Sequence, residues 1–359
     1  MERRTFLGLS AAALVAAGGG VGWAISHRGG DLNKAVATLA DLLETSYVIP
    51  AIGRRYAVML RGKLAAGAYA AISDPGKLGQ QLTRDLAAIY RDRHLRVTPQ
   101  DEADAPPPPG APPKAQPGDA APPDGADAPD AAGPPMEPPP LADAGWIAKG
   151  VAYINFIMFP DDPAVAKGVA AFMRDHAGAT TLIIDGRLNG GGGITEMNAM
   201  LPYLYARETA LVQMEMAAAV VKATGKGPFE GEAFIRPVPA PAGIVRREHY
   251  VVPATDERRL FGARVFYLTS RYTASAGEHL ALAFKHTGRA TLIGGTTAGA
   301  NHFGDFKPIG GGLAVFLPVG RTIDPGTGKD WEGVGIIPDV VVPQTQALQE
   351  ALTRAGVLA

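Results

Sequence analysis

Tyr267-Leu268-Thr269-Ser270-Arg271-Tyr272-Thr273-Ala274-Ser275-Ala276-Gly277-Glu278-His279-Leu280 is the stretch that decides how the chain folds. The β-rich run 265–268 breaks into small residues, and a helical pattern starts at Ala276 and runs to His286. The spacing therefore predicts a strand, a turn and a helix. Ser275 falls at the positive end of the helix dipole, where N–H groups lack partners of their own. Two roles fit that place, an ordinary N-cap or a nucleophile. Ser270, at the strand end before the turn, is the less favoured serine. His279 shares a helix face with Ser275 but points away from the helix start, which reads as a surface or packing residue.

Working outward, residues 151–157, 181–184 and 291–293 are further short β-rich runs, and 165–176 is a helical pattern. Strands alternating with helices predict an α/β core of roughly 200 residues. Residues 313–318 and 340–342 read as strands closing the sheet, and 344–355 as a terminal helix. Ahead of the core, residues 31–98 carry leucines at three- and four-residue spacing, Leu39, Leu42 and Leu43 and then Leu78, Leu82 and Leu86. This is the pattern of a small helical bundle, punctuated by Pro50 and by Ser73-Asp74-Pro75-Gly76, a loop with a helix start. Between bundle and core, residues 99–144 are different: 15 of the 31 prolines lie from Pro106 to Pro140, among Ala, Gly and Asp. Such a composition buries little and predicts an extended, solvated linker. The domain expectation is thus 1–30, 31–98, 99–144 and 145–359.

The N-terminus, Arg3-Arg4-Thr5-Phe6-Leu7 followed by an Ala/Gly-rich apolar stretch to about Ile25, reads as an export signal of twin-arginine type. The competing reading is a membrane tether through residues 6–25, since about 20 apolar residues span a bilayer. Either places the rest of the chain outside the cytoplasm, with the periplasm as the expected location. Composition narrows the chemistry. Lys+Arg 34 against Asp+Glu 35 gives no basis for a nucleic-acid partner. Zero cysteines exclude disulfide scaffolds, cysteine nucleophiles and iron–sulfur ligation, so covalent catalysis must use Ser, Thr, Lys or a carboxylate. The histidines His27, His176, His249, His286 and His302 stand without partners at ligand spacing, so no metal or other cofactor is expected.

Two other strand ends carry chemistry. Ile184-Asp185-Gly186-Arg187-Leu188-Asn189-Gly190-Gly191-Gly192-Gly193 runs a buried strand into four glycines, whose N–H groups can converge on a developing negative charge. A flexible turn is the alternative; a phosphate cradle is disfavoured because no Lys-Ser/Thr pair follows. Asp330-Trp331-Glu332-Gly333-Val334-Gly335-Ile336-Ile337-Pro338-Asp339 offers a carboxylate suited to orienting a base, or a solvated loop. Asp92-Arg93-His94 belongs with them, with His94 at the end of the bundle as either a base or a capping residue. His302, beside the Gly-Thr segment, is expected to line the cleft.

These segments, with Ile293-Gly294-Gly295-Thr296-Thr297-Ala298-Gly299, occur in the order and spacing of tail-specific, or C-terminal-processing, serine proteases. The chain most resembles their branch containing interphotoreceptor retinoid-binding protein and the tricorn protease core, from about Trp146 to the end and through Asp92-Arg93-His94-Leu95. The resemblance implies a ClpP/crotonase-like catalytic core preceded by the helical bundle. It implies Ser275 as nucleophile and an oxyanion hole from Ala276 and the Gly191/Gly192 region. The family's lysine base would stand at Ala300, so that dyad is absent, and Lys307 lies seven residues too late. The tricorn-like arrangement implies His94 as base with Glu332 supporting it. No peptide-binding PDZ domain is inserted between bundle and core. The resulting expectation is an exported serine endopeptidase acting on peptides or unfolded protein tails. The rivals are a non-catalytic binder of hydrophobic ligands, lipid or retinoid-like, or of peptides, and an envelope scaffold.

Overall fold

The computed structural model describes residues 32–104, 141–255 and 259–357. The export signal or tether and nearly all of the proline-rich linker lie outside the described residues. Helices α1 (Leu32–Ser46), α2 (Pro50–Ala65) and α3 (Pro75–Ala87) lead into strand β1 (Arg96–Pro99) and helix α4 (Gln100–Asp104). There follow β2 (Leu141–Ala148), β3 (Val151–Phe156), α5 (Pro163–Asp175), β4 (Thr181–Asp185), α6 (Thr195–Met200), β5 (Thr209–Ala217) and α7 (Ala218–Thr224). The remainder is β6 (Ile235–Val238), β7 (Ile244–Val251), β8 (Arg264–Thr269), α8 (Ala276–Thr287), β9 (Thr291–Gly294), β10 (Phe303–Gly310), β11 (Leu313–Ile323), β12 (Val340–Val341) and α9 (Ala347–Ala355).

One sheet has the order β12-β9-β8-β4-β3-β2, parallel throughout except for the β2–β3 hairpin. Parallel strands covered on both faces need continuous apolar runs, and β4, Thr-Leu-Ile-Ile-Asp, is buried at every position. Alternate side chains serve different layers. Ile154, Leu182, Ile184, Val265, Tyr267 and Leu292 face α5, α6 and α8 in the larger core. Tyr153, Ile183, Phe266, Leu268 and Ile293 face Ala347 and Ala351 of α9. The strands expected here form, displaced by a residue or so at their ends, and the terminal helix starts at Ala347 after a short 3-10 turn.

The second sheet is antiparallel, β1-β11-β5-β7-β6 with β10 on the other side of β11. Sequence periodicity identified only part of β11 in this sheet and placed it with the strands of the other. Its consequence is a change in domain organisation. Leu39, Leu43, Leu78, Leu82 and Leu86 are buried as their spacing predicts, but their core includes Ile309, Leu313, Val315 and Leu317 of β10 and β11. The helices thus lack a separate core and form a layer on this sheet, and β1 ties their far end into it. Each fully buried leucine contributes about 1.5–3 kcal/mol, so the layer is held firmly. The 99–144 boundaries shift for the same reason: residues 100–104 are helical against the sheet and β2 begins at Leu141. Asp74 caps α3 by accepting from Lys77 N–H at 2.7 Å, with Pro75 in the first turn, as the Ser-Asp-Pro-Gly motif foretold.

Candidate active site

The C-terminal ends of β4 and β8 lie side by side in the parallel sheet, the edge at which open α/β sheets place their ligand crevices. From β8 the chain turns through residues 270–275 into α8, and Ser275 sits at the helix start with φ 50° and ψ −117°. An ordinary N-cap has extended φ/ψ. A non-glycine residue in this region costs about 1–3 kcal/mol and marks a sharp functional turn. The surroundings fix that turn. Ser275 N–H donates to Glu278 Oε2 at 3.1 Å, and Ala274 N–H donates to the Asn189 carbonyl at 2.9 Å.

The glycine run is built to approach Ser275. At Gly191, φ is +107°, and a Cβ there would come within 2.6 Å of the Ser275 Cβ and 3.2 Å of the Ala276 nitrogen. At Gly192 a Cβ would meet the Phe159 carbonyl oxygen at 1.7 Å. That carbonyl accepts from Gly193 N–H while Phe159 N–H donates to Gly191, pinning the loop in place. Gly191 N–H is occupied by Asn189 Oδ1 at 2.9 Å. Among the described residues, the N–H groups of Gly192 and Ala276 have no acceptor. Of the three residues expected to donate, Gly191 therefore supplies clearance, and the other two retain free donors.

Glu278, buried in the first turn of α8, ties this elbow to the loop after β9. Its carboxylate accepts from Thr297 Oγ1 at 2.5 Å, Gly299 N–H at 2.7 Å and Ala300 N–H at 2.8 Å as well as from Ser275. Burial pushes its proton affinity up, against the pull of these donors. The next two residues of that loop, Asn301 and His302, donate their N–H groups to Glu332 Oε2 at 2.6 and 2.9 Å. Arg93 N–H donates to Glu332 Oε1 at 2.5 Å. One loop thus carries Ser275 on one side, through Glu278, and His94's neighbour on the other, through Glu332. Arg93 also lies within electrostatic reach of Glu278.

His94 follows in the turn that enters β1, its ring stacked on Phe316 of β11 at 5.5 Å. Atoms of His94, Asp92 and Glu332 lie within 4.8 Å of one another. The spacing could admit a cation, but both carboxylates already spend oxygens on hydrogen-bond donors. Asp92 accepts from His94 N–H at 2.9 Å, Leu95 N–H at 3.1 Å, Tyr47 Oη at 2.6 Å and His302 Nδ1 at 2.7 Å. The carboxylates thus serve as acceptors for the backbone of this turn. Burial lowers His94 to about 4, so it is neutral at ordinary pH, and its Nδ1 is sealed from solvent without a partner. Burial and the Asp92 charge raise Glu332 to about 8. Burial opposes charge on His302, but Asp92 and Asp330 outweigh it and raise that ring to about 10. No hydrogen bond joins the His94 ring to Ser275 among the described residues.

The structure corrects several histidine expectations. His302 is fully buried and paired with Asp92 rather than lining a cleft. His279 is buried, bonded to His249 Nδ1 at 2.8 Å, so packing holds and surface does not. His286 pairs with Asp324 at 2.9 Å. Partners separated by many residues in the chain meet through sheet registry, which ligand-spacing rules do not see. Ser270 Oγ is spent on the Arg187 carbonyl. Two residues that sequence reasoning quoted without assigning them work are Asp92 and Glu278. Each is a carboxylate two or three residues from a named site residue, and that proximity was the available signal.

A serine in a strained turn at a helix start, with Gly191 packed against its Cβ, has the geometry of a serine-hydrolase elbow. Residues 150–342 match the model of peptidase family S41, and residues 25–126 match that for the N-terminal domain of Peptidase_S41 in eukaryotic IRBP. The chain belongs to peptidase family S41 and is a serine-type peptidase. Its fold is similar to that of the photosystem II D1 C-terminal processing protease, with 16% identity and a TM-score of 0.54 over 91% of this chain and 98% of that one. A candidate peptidase from Parabacteroides merdae ATCC 43184 gives 15% identity and a TM-score of 0.56 over 91% and 96%. Against mature CPAF complexed with lactacystin the match is 15% identity and a TM-score of 0.42, over 57% of this chain and half of that one.

Proposed function

We propose that the chain is an endopeptidase that cleaves peptides or unfolded protein tails through an acyl-enzyme on Ser275. The observation that carries this is the positive φ of a serine at a helix start, packed against Gly191, with no acceptor among the described residues for the N–H groups of Ala276 and Gly192. His94 removes the Ser275 proton as Oγ attacks the carbonyl carbon, and returns it to the leaving amine. The oxyanion collects the Ala276 and Gly192 donors; losing one such donor costs about 10²–10³ in rate. Glu332, with atoms within 4.8 Å of His94, accepts the Arg93 N–H and so holds the turn that carries the base. Because no bond joins His94 to Ser275 at rest, substrate binding has to tighten that contact, as is common in unliganded enzymes. The Arg3-Arg4 signal supports action outside the cytoplasm.

The test is labelling by a fluorophosphonate probe together with cleavage of fluorescein-labelled, denatured casein. Both are expected in the wild type and absent in Ser275→Ala, while His94→Ala loses about 10²–10⁴ in kcat/KM with an unchanged melting profile. Folded wild-type protein that neither labels nor cleaves, but takes up a hydrophobic ligand saturably, sinks this reading and leaves a binder.

A further inference from the structure

We propose that His302 is a positioning residue for the reaction: it clamps Asp92 from below and thereby fixes where His94 stands. The inference rests on the peptidase reading above and adds a residue to it. The Asp92 carboxylate is divided between two tasks. Its Oδ2 takes His302 Nδ1 at 2.7 Å and Tyr47 Oη at 2.6 Å, both from the core. Its Oδ1 takes the backbone N–H groups of His94 and Leu95 at 2.9 and 3.1 Å. A second link runs in parallel, because His302 N–H donates to Glu332, whose other oxygen holds Arg93 N–H. His302 thus reaches the backbone of both residue 93 and residue 94 through a carboxylate each. The segment bearing the base comes from the N-terminal layer and the nucleophile from the parallel sheet, and His302 is the side chain where the two are joined.

Charge reinforces the geometry. Asp92 faces the His302 ring from the turn after α3, Asp330 at 3.9 Å and Glu332 at 4.0 Å from the loop before β12, and the Tyr47 ring at 6.3 Å from the end of α1. His94 lies beyond Asp92, and Arg321 of β11 is on the far side of Asp330 at 3.0 Å. A wholly buried imidazole bonded to Asp92 and 3.9 Å from Asp330, both held ionised, is itself held as a cation. Loss of solvation is the main cause that keeps His94 unprotonated, and the His302 charge adds a smaller opposition to a second positive charge there, against the pull of Asp92. Holding a fold together does not call for such a cluster, since apolar residues of similar volume usually do as well or better. Seating a base does call for it, because misplacement by about 1 Å can cost 10²-fold.

The experiment uses the full chain and the same two readouts. In His302→Gln, kcat on labelled casein is expected to fall roughly 10- to 100-fold with KM changed less than about threefold. Fluorophosphonate labelling of Ser275 slows in parallel. The acid limb of kcat/KM moves to higher pH, because removing the cation makes His94 easier to protonate. Asp92→Asn acts through the same seat, so the double variant is no slower than the slower single one. A folded His302→Gln protein with wild-type kcat and pH profile overturns the inference, and so do effects that multiply in the double variant. Should His302→Gln not fold, ¹⁵N-histidine NMR of the wild type at pH 7.5 decides: two protonated ring nitrogens on His302 support it, and a neutral ring sinks it. An inert wild type instead defeats the peptidase reading itself, so the two failures are distinct.

Discussion

Replacing Ser275 with glycine should make the protein more stable while abolishing its activity. The Ser275 backbone, at φ 50° and ψ −117°, occupies a region that costs a residue with a Cβ about 1–3 kcal/mol. Glycine relieves that strain but loses about 0.5–1 kcal/mol through its freer unfolded chain. The difference favours glycine by roughly 1 kcal/mol, or a Tm higher by about 1–2 °C for a chain of 359 residues. The proper comparison is Ser275→Ala, which deletes Oγ but keeps the Cβ and therefore the strain. Calorimetry and urea titration of the two variants, both inactive toward casein, measure the difference directly. A Ser275→Gly protein equal to or less stable than Ser275→Ala would mean the elbow is unstrained, and the argument that separates Ser275 from a common N-cap would fail.

Gly191→Ala places a methyl 2.6 Å from the Ser275 Cβ at a backbone φ of +107°; kcat/KM should drop by at least about 10², and activity within threefold of wild type would refute the close approach. The base at about 4 sets the acid side of turnover: kcat/KM should hold level from neutrality to about pH 5 and fall below about pH 4, with a limb near 6.5 counting against desolvation of the half-buried His94. His249 and His279, bonded ring to ring, are both held below the ordinary histidine value by burial. An unfolded chain binds those protons first as pH falls below about 6.5, so stability is lost from there down to about pH 4, by roughly 3 kcal/mol from His279 alone. Urea midpoints between pH 7 and 4 should show the slope, reduced in His279→Leu.

The elements that read cleanly were those whose burial is set by near neighbours. The runs 182–184 and 265–268 are apolar at every position because both faces of β4 and β8 are covered, and Leu78, Leu82 and Leu86 repeat at one helical turn because one face of α3 is. The antiparallel sheet was largely missed. Strands β5, β6 and β7 carry Glu215, Arg236, Arg246 and Glu248, whose charges are satisfied by cross-strand pairs such as Arg236–Glu248 and Arg246–Glu215. That lattice interrupts the apolar alternation on which a strand is recognised. The candidate site divides the same way. Ser275 and the glycines stand in one contiguous turn each, so local chemistry exposes them. His302 and Asp92 are 210 positions apart, and the pairings of β1 and of β10 with β11 bring them together.

That same pairing of β1 with β11 has an effect on when the molecule can become dangerous to its neighbours. A ribosome delivers the segment bearing His94 early and its partner strand late, while Glu332 follows later still. Until that final stretch has emerged and docked, the turn bearing His94 lacks the carboxylate that holds Arg93 N–H. The turn that carries His94 is accordingly completed in the last act of folding.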